Sequence, residues 1–153
     1  MLEQSPNTWT VPNYIKISLK GMPAGSLVGL DVTYRCNLRC RHCYFIRQNH
    51  QAELPVGEWL TRFEKMKANG FPFMICGWIG GEPLLRKDLI EKGRYYFKSN
   101  VVFTNGTIPL PYWPEVTFSV SVHGTEEIHS RMTGVDRERY LQIKKMRTVS
   151  IWR

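Results

Sequence analysis

The sequence predicts an α/β fold in which consecutive βα units build a parallel sheet, and three observations predict it. From Leu27 onward, short apolar runs alternate with stretches of helical periodicity, the pattern that βα units leave in a chain. Breaks rich in Gly, at Asn69-Gly70, Gly80-Gly81 and Asn105-Gly106, close the segments. The third observation is a stretch near residue 120, where Val116, Phe118, Val120 and Val122 point one way and Thr117, Ser119, Ser121 and His123 the other. Parallel strands covered on both faces read as apolar throughout. A row of small polar groups therefore predicts a wet or ligand-filled lumen on that face, with helices on the apolar one. An antiparallel sheet with one face in solvent gives the same alternation, but the βα order of the neighbouring segments favours the lumen.

The elements follow in order. Residues 1–26 hold Pro6, Pro12 and Pro23 around Ile15, Ile17 and Leu19, whose alternation with Lys16 and Ser18 predicts a short strand in a lead-in to the core domain, 27–153. The first core strand, 27–34, runs straight into a cysteine-rich loop. A helix is expected over about 55–69: Pro55 suits its first turn, Val56, Trp59, Leu60, Phe63 and Met66 form a stripe, and Asn69-Gly70 stops it. A second strand, 73–79, ends in Gly80-Gly81-Glu82-Pro83, and a second helix runs over about 84–98. The third strand, 101–104, stops at Asn105-Gly106. Beyond a loop punctuated by Pro109, Pro111 and Pro114 comes the fourth strand, 116–122, then helical segments over about 125–132 and 136–147. The stretch 148–152 reads as the start of a fifth strand.

At 153 residues the chain is one domain's worth, long enough to bury a core without disulfide staples. A hydrophobic content of 42% and only four Cys exclude disordered and disulfide-scaffold classes. The longest mostly apolar stretch, 71–81, is far short of the roughly 20 residues of a membrane helix. The first residues lack a basic-then-apolar leader, so the expected location is the cytoplasm, with no membrane attachment. The formal net charge of +8 bears on association rather than chemistry. Nucleic-acid binding ranks low, because no basic groove interleaved with aromatics is discernible.

Cys36, Cys40 and Cys43 crowd into one short loop, too close and too odd in number for a disulfide framework. In a reducing compartment such a cluster points to metal. Three thiolates on one loop can grip three corners of a cubane iron-sulfur cluster and leave the fourth iron open. A structural zinc site would want a fourth ligand, which His42, His50 or Cys76 could supply.

Cys36-x3-Cys40-x2-Cys43 after the first core strand resembles the signature of the radical S-adenosylmethionine (radical SAM) superfamily. Gly80-Gly81-Glu82-Pro83 is similar to the family's second motif, in which backbone and Glu side chain receive the amino group of the methionine moiety. Thr104-Asn105-Gly106-Thr107 resembles the family's third-strand ending, and Ser119-Val120-Ser121-Val122-His123-Gly124 its fourth strand, whose polar residues approach the ribose. His129-Ser130-Arg131-Met132-Thr133-Gly134 is similar to the stretch that follows in members acting on peptides and cofactor precursors. The resemblance covers about 27–147. It departs at His42, where many relatives have an aromatic, and at His123, where many have Asp.

The resemblance implies a partial parallel (βα) barrel of the radical SAM type, about four and a half βα units where the family has about six. A truncated or frameshifted product, or a chain completed by a partner, is therefore expected. It also implies two cofactors, a 4Fe-4S cluster on Cys36, Cys40 and Cys43 and S-adenosyl-L-methionine on the open iron. One-electron cleavage then gives a 5′-deoxyadenosyl radical that abstracts hydrogen from a peptide or small-molecule substrate. Gly80, Gly81 and Glu82 are the methionine candidates, Asn105, Ser119 and Ser121 the ribose candidates, and His42 a further cofactor contact. Arg35, Arg39, Arg41 and Arg47 flank the cysteines with no acid between the outer two. Such charges favour a reduced cluster and suit an acidic electron donor such as flavodoxin or ferredoxin, though solubility explains each arginine as well.

Two other readings stand beside this one: a zinc-stabilised binding protein, and an inactive fragment that keeps the cluster loop. Cys76 reads as a buried small hydrophobe, His50 and His129 as surface residues, Trp59, Phe63 and Tyr95-Tyr96-Phe97 as packing groups. Lys144, Lys145 and Arg147 read as cations at a helix C-terminus.

Overall fold

The computed structural model describes residues 26–45 and 52–149. Four strands, β1 (Leu27–Thr33), β2 (Ile75–Gly80), β3 (Ser99–Thr104) and β4 (Val116–Val120), form one parallel sheet in the order β1-β2-β3-β4. Each new strand joins the edge left by the one before, as βα units dictate. The connections hold α1 (Val56–Ala68), α2 (Lys87–Gly93) between the 3-10 turns Pro83–Arg86 and Arg94–Tyr96, α3 (Glu126–Thr133) and α4 (Arg137–Val149).

Period two sorts the sheet. Val28, Leu30, Val32, Cys76, Trp78, Val102, Val116 and Phe118 belong to the main core with Phe63 of α1 and Leu89 and Ile90 of α2. The opposite face carries Leu27, Gly29, Asp31, Val101, Phe103, Thr117 and Ser119 and is open, with Phe103 47% exposed. The alternation in β4 is therefore real: Thr117 and Ser119 are exposed, while Val116 and Phe118 join the core. A smaller core of Val135, Tyr140 and Ile143 seats α4 against Val120, Val122 and Leu38 of the cysteine loop.

Phe63 anchors the main core, with Trp59, Phe73, Trp78, Tyr96 and Phe97 around it at ring separations of 5.1 to 6.5 Å. Burial of that size makes truncation to Ala cost about 3–5 kcal/mol. The Trp78 indole N–H donates to Asn100 Oδ1 at 2.9 Å, and the Asn100 amide donates to the Arg94 carbonyl at 3.0 Å. Both buried polar groups are thereby satisfied.

Several expectations are corrected. β3 starts at Ser99, because Asn100, polar by type, is buried by its bond to Trp78. β2 starts at Ile75, since Phe73 adopts a φ of 42° that interrupts extended chain. The single helix expected over 84–98 is α2 flanked by two 3-10 turns. Phe97 is buried, but Tyr95 is 73% exposed, its ring held by the Arg94 guanidinium 4.2 Å away instead of by the core. α4 continues through Val149, so Thr148 and Val149 are helical rather than the start of a fifth strand; β-branched residues there yield to the helix already under way. The described residues thus complete four strands, and 150–152 lie outside them, as do the lead-in strand, Arg47 and His50.

Candidate cofactor site at the ends of the strands

The cysteine loop leaves the C-terminal end of β1 and is pinned at several points. The Gly81 N–H donates to the Thr33 carbonyl at 2.8 Å and the Glu82 N–H to the Arg35 carbonyl at 2.9 Å. A Cβ on Gly80, at φ 131°, would stand 2.3 Å from the Thr33 oxygen, and one on Gly81 2.2 Å from the Arg35 oxygen. Only glycine lets the two chains approach this closely. The double glycine therefore fixes where the first cysteine begins. Further along, the Cys43 N–H closes a turn onto the Cys40 carbonyl at 3.1 Å, and the Arg41 N–H reaches the Met132 carbonyl at the end of α3 at 2.9 Å.

Cys36, Cys40 and Cys43 are unpaired and half-buried. Burial pushes the Cys36 and Cys40 thiols up, and Cys40 is raised further by Cys36 and Cys43, so the three sulfurs feel one another. Among the described residues no three His, Cys, Asp or Glu side chains converge on one ion. A cubane is gripped at separate irons, one thiolate to each. The donor set of three soft thiols on one anchored loop fits the cluster. A cavity of about 420 Å³ borders Cys36 and Cys43, walled by Tyr34, Phe45 and Leu85. Cys76 lies fully buried on the helix face of β2 with its thiol pushed far up, as a core residue rather than a ligand.

Glu82 is fully buried. Its Oε1 accepts the Leu84 N–H at 3.0 Å and the Thr104 hydroxyl at 2.8 Å, and its Oε2 accepts the Asn105 N–H at 2.8 Å. Burial raises its pKa while these donors pull it down. The carboxylate joins the end of β2 to the end of β3.

Asn105 is also engaged. Its amide nitrogen donates to Asn37 Oδ1 at 3.0 Å and to Cys36 Sγ at 3.7 Å, while its Oδ1 accepts the Thr107 N–H and hydroxyl at 2.9 and 2.6 Å. Ser119 and Ser121 are exposed at the β4 end, the Ser121 N–H donating to the Thr104 carbonyl at 3.0 Å. His42 sits edge-on against His123, with ring centroids 4.5 Å apart. His129, expected at the surface, is buried: its Nδ1 accepts the His123 N–H at 3.2 Å, and its ring lies between His123 and Tyr140.

Sequence reasoning missed a group beneath the loop. Glu53 takes a bidentate pair from Arg35, both contacts at 2.9 Å, a hydrogen bond from the Thr33 hydroxyl, and a contact at 3.5 Å from buried Arg86. The Arg86 guanidinium also donates to the Leu54 and Val32 carbonyls at 3.0 and 3.4 Å. Arg35 is thus paired to Glu53, though it is exposed, as Arg39 and Arg41 are. No motif links residues 33, 35, 53 and 86; only a charge balance around the loop, unusually basic, hints that a nearby acid must be recruited.

Three comparisons with known proteins agree. The sequence profile described as the Radical SAM superfamily matches residues 30–146. The chain is 29% identical over 131 residues to the AdoMet-dependent heme synthase of Methanosarcina barkeri, covering 80% of this chain and 35% of that one. It is 30% identical over 86 residues to the S-adenosylmethionine-dependent nucleotide dehydratase of Selenomonas ruminantium, covering 54% of this chain and 31% of that one. It therefore spans about a third of the length of these curated relatives. Among solved structures, Streptococcus suis SuiB bound to precursor peptide SuiA matches with TM-score 0.64 at 18% identity, over 88% of this chain and 34% of that chain. Native anSMEcpe with bound AdoMet matches with TM-score 0.62 at 20% identity, over 81% and 41%. At these identities the likeness to both structures is one of fold.

Proposed function

The chain belongs to the radical SAM superfamily, its four-stranded sheet being a partial barrel of that fold, and from that premise we propose that it holds a 4Fe-4S cluster on Cys36, Cys40 and Cys43 and binds S-adenosylmethionine beside it. Members of the family are enzymes that use these two cofactors. Bound together, they supply one-electron chemistry that ends in hydrogen-atom abstraction from a substrate.

The observation that carries this is the anchoring of three unpaired, half-buried thiols at the mouth of the sheet's open face by Gly80, Gly81 and Glu82. The chain's own residues then have distinct tasks. Gly80 and Gly81 hold the loop at its distance, their backbone set against Thr33 and Arg35 just before Cys36, where the methionine end of the cofactor would lie. Glu82 ties the turn that follows them to the end of β3. Ser119 and Ser121, exposed at the end of β4, offer hydroxyls to a ribose, and His42 offers its exposed imidazole. Phe103 and Ile79 give the open face an apolar floor. Arg39 and Arg41, exposed on the loop, suit docking of an acidic electron donor such as flavodoxin or ferredoxin.

The substrate is a peptide or a small molecule. The peptide reading is supported by fold neighbours solved with peptides bound, and the small-molecule reading by relatives named as heme synthase and nucleotide dehydratase.

Anaerobic reconstitution with iron and sulfide tests the proposal. The expected product is a brown protein that releases 5′-deoxyadenosine on addition of reductant and S-adenosylmethionine. A brown but inert protein would leave only an incomplete fragment of the enzyme, and a colourless protein retaining zinc would overturn the assignment.

A further inference from the structure

We propose that Asn105 is a positioning residue for the cluster, its side-chain amide donating a hydrogen bond to the Cys36 sulfur and so raising the reduction potential. The inference rests on the cluster assignment above and moves Asn105 from the ribose to the metal.

The orientation of the amide is determined by its neighbours. Asn105 Oδ1 faces two donors, the Thr107 N–H at 2.9 Å and the Thr107 hydroxyl at 2.6 Å. Its nitrogen faces Asn37 Oδ1 at 3.0 Å and Cys36 Sγ at 3.7 Å. Turning the amide over would set NH₂ against the Thr107 N–H, a backbone donor that cannot reverse its role, and a carbonyl oxygen against Asn37 Oδ1 and the sulfur. The backbone is fixed too, since the Asn105 N–H is held by Glu82 Oε2 at 2.8 Å. Asn37, which shares the nitrogen, is itself tethered through its own amide to the Thr107 hydroxyl at 2.7 Å. The donor is thus locked toward the sulfur by partners on three segments, and its polar atoms are spent on protein, not held free for a ligand. The Leu38 N–H adds a second donor to Cys36 at 3.4 Å.

Hydrogen bonds to ligating sulfur are one of the protein's levers on cluster potential. Reduction adds one electron and no proton, so negative charge on the sulfurs grows. A donor already aimed at Cys36 stabilises the reduced state more than the oxidised one.

The test is a dithionite titration followed by electron paramagnetic resonance on reconstituted protein, without S-adenosylmethionine. Asn105→Ala should hold as much iron as the wild type but show a lower midpoint. At a fixed poise its reduced-to-oxidised ratio should fall by up to about tenfold, roughly 59 mV for a one-electron couple. Asn37→Ala, which removes the competing acceptor and keeps the donor, should leave the midpoint unchanged or raise it. An unchanged midpoint in Asn105→Ala overturns the inference, and so does an equal fall in both variants, which would report a loosened loop. Should Asn105→Ala lose its iron, wild-type protein labelled with side-chain ¹⁵N asparagine decides: pulsed resonance on the reduced cluster shows nitrogen coupling if the bond exists, and its absence overturns the inference. Failure of the wild type to take up iron would bring down the cluster assignment itself, and this inference with it.

Discussion

The Glu82 carboxylate accepts the Asn105 backbone N–H at 2.8 Å and thereby clamps the end of β2 to the end of β3. With Leu84 and Thr104 also donating to it, one buried side chain sets the spacing of two strand ends beneath the cysteine loop.

Glu82→Ala leaves three donors without a partner, and unsatisfied buried groups cost about 1–3 kcal/mol each. The expected loss is at least about 3 kcal/mol, read by urea denaturation. Glu82→Gln keeps the shape but sets NH₂ against one of the donors; it should retain iron and bind S-adenosylmethionine several-fold more weakly by calorimetry. Unchanged affinity would remove Glu82 from the cofactor site.

Gly81→Ala forces a Cβ to within 2.2 Å of the Arg35 oxygen, so the loop must shift. Overpacking of this kind costs about 1–3 kcal/mol. The protein should still fold, with a lower denaturation midpoint, and retain less iron per chain after reconstitution. Wild-type iron content in this variant would show that the loop's position does not matter.

Cys40→Ala should abolish the visible absorbance of the cluster. Cys76→Ala, altering a thiol sealed in the core, should keep iron at the wild-type level and cost on the order of 1 kcal/mol by denaturation. Equal iron loss in both would make Cys76 a ligand.

The Glu53 carboxyl is held below its usual value of 4.5, chiefly by the hydrogen bonds from Arg35, with Thr33 and Arg86 adding to the effect against its burial. Its proton binds more readily in the unfolded chain, so the stabilisation is present above the unfolded value and is lost as pH falls through the folded one. Stability measured from pH 6 down should fall more steeply below about pH 4.5 in the wild type than in Glu53→Gln. Parallel curves would remove the pair from the acid limb.

The parts of this fold that could be read from sequence are those set by local rules. β4 announced itself by alternation, α1 by Pro55 and its apolar stripe, and the cysteine loop by spacing. What stayed hidden is set by partners distant in the chain. Asn100 falls outside the strand expected over 101–104, because the Trp78 N–H that satisfies its side-chain oxygen comes from another strand. His129 reads as surface because the neighbours that bury it, His123 and Tyr140, come from the β4 exit and from α4. Glu82 was legible as a motif member, but not as a strut, since Thr104 and Asn105 meet it only once β3 lies beside β2. Asn105 was legible as a residue at the end of β3, but its hydrogen bond to Cys36 was not, since the two are brought together only by the fold.

The depth of Cys76 gives the protein a built-in gauge of its own integrity. In the metal-free folded chain, a water-soluble thiol reagent meets the three half-buried loop cysteines and not the fourth. Unfolding uncovers all four. The interval between those two counts, followed over time, reports how often the sheet opens, on a channel that does not depend on iron, colour or turnover.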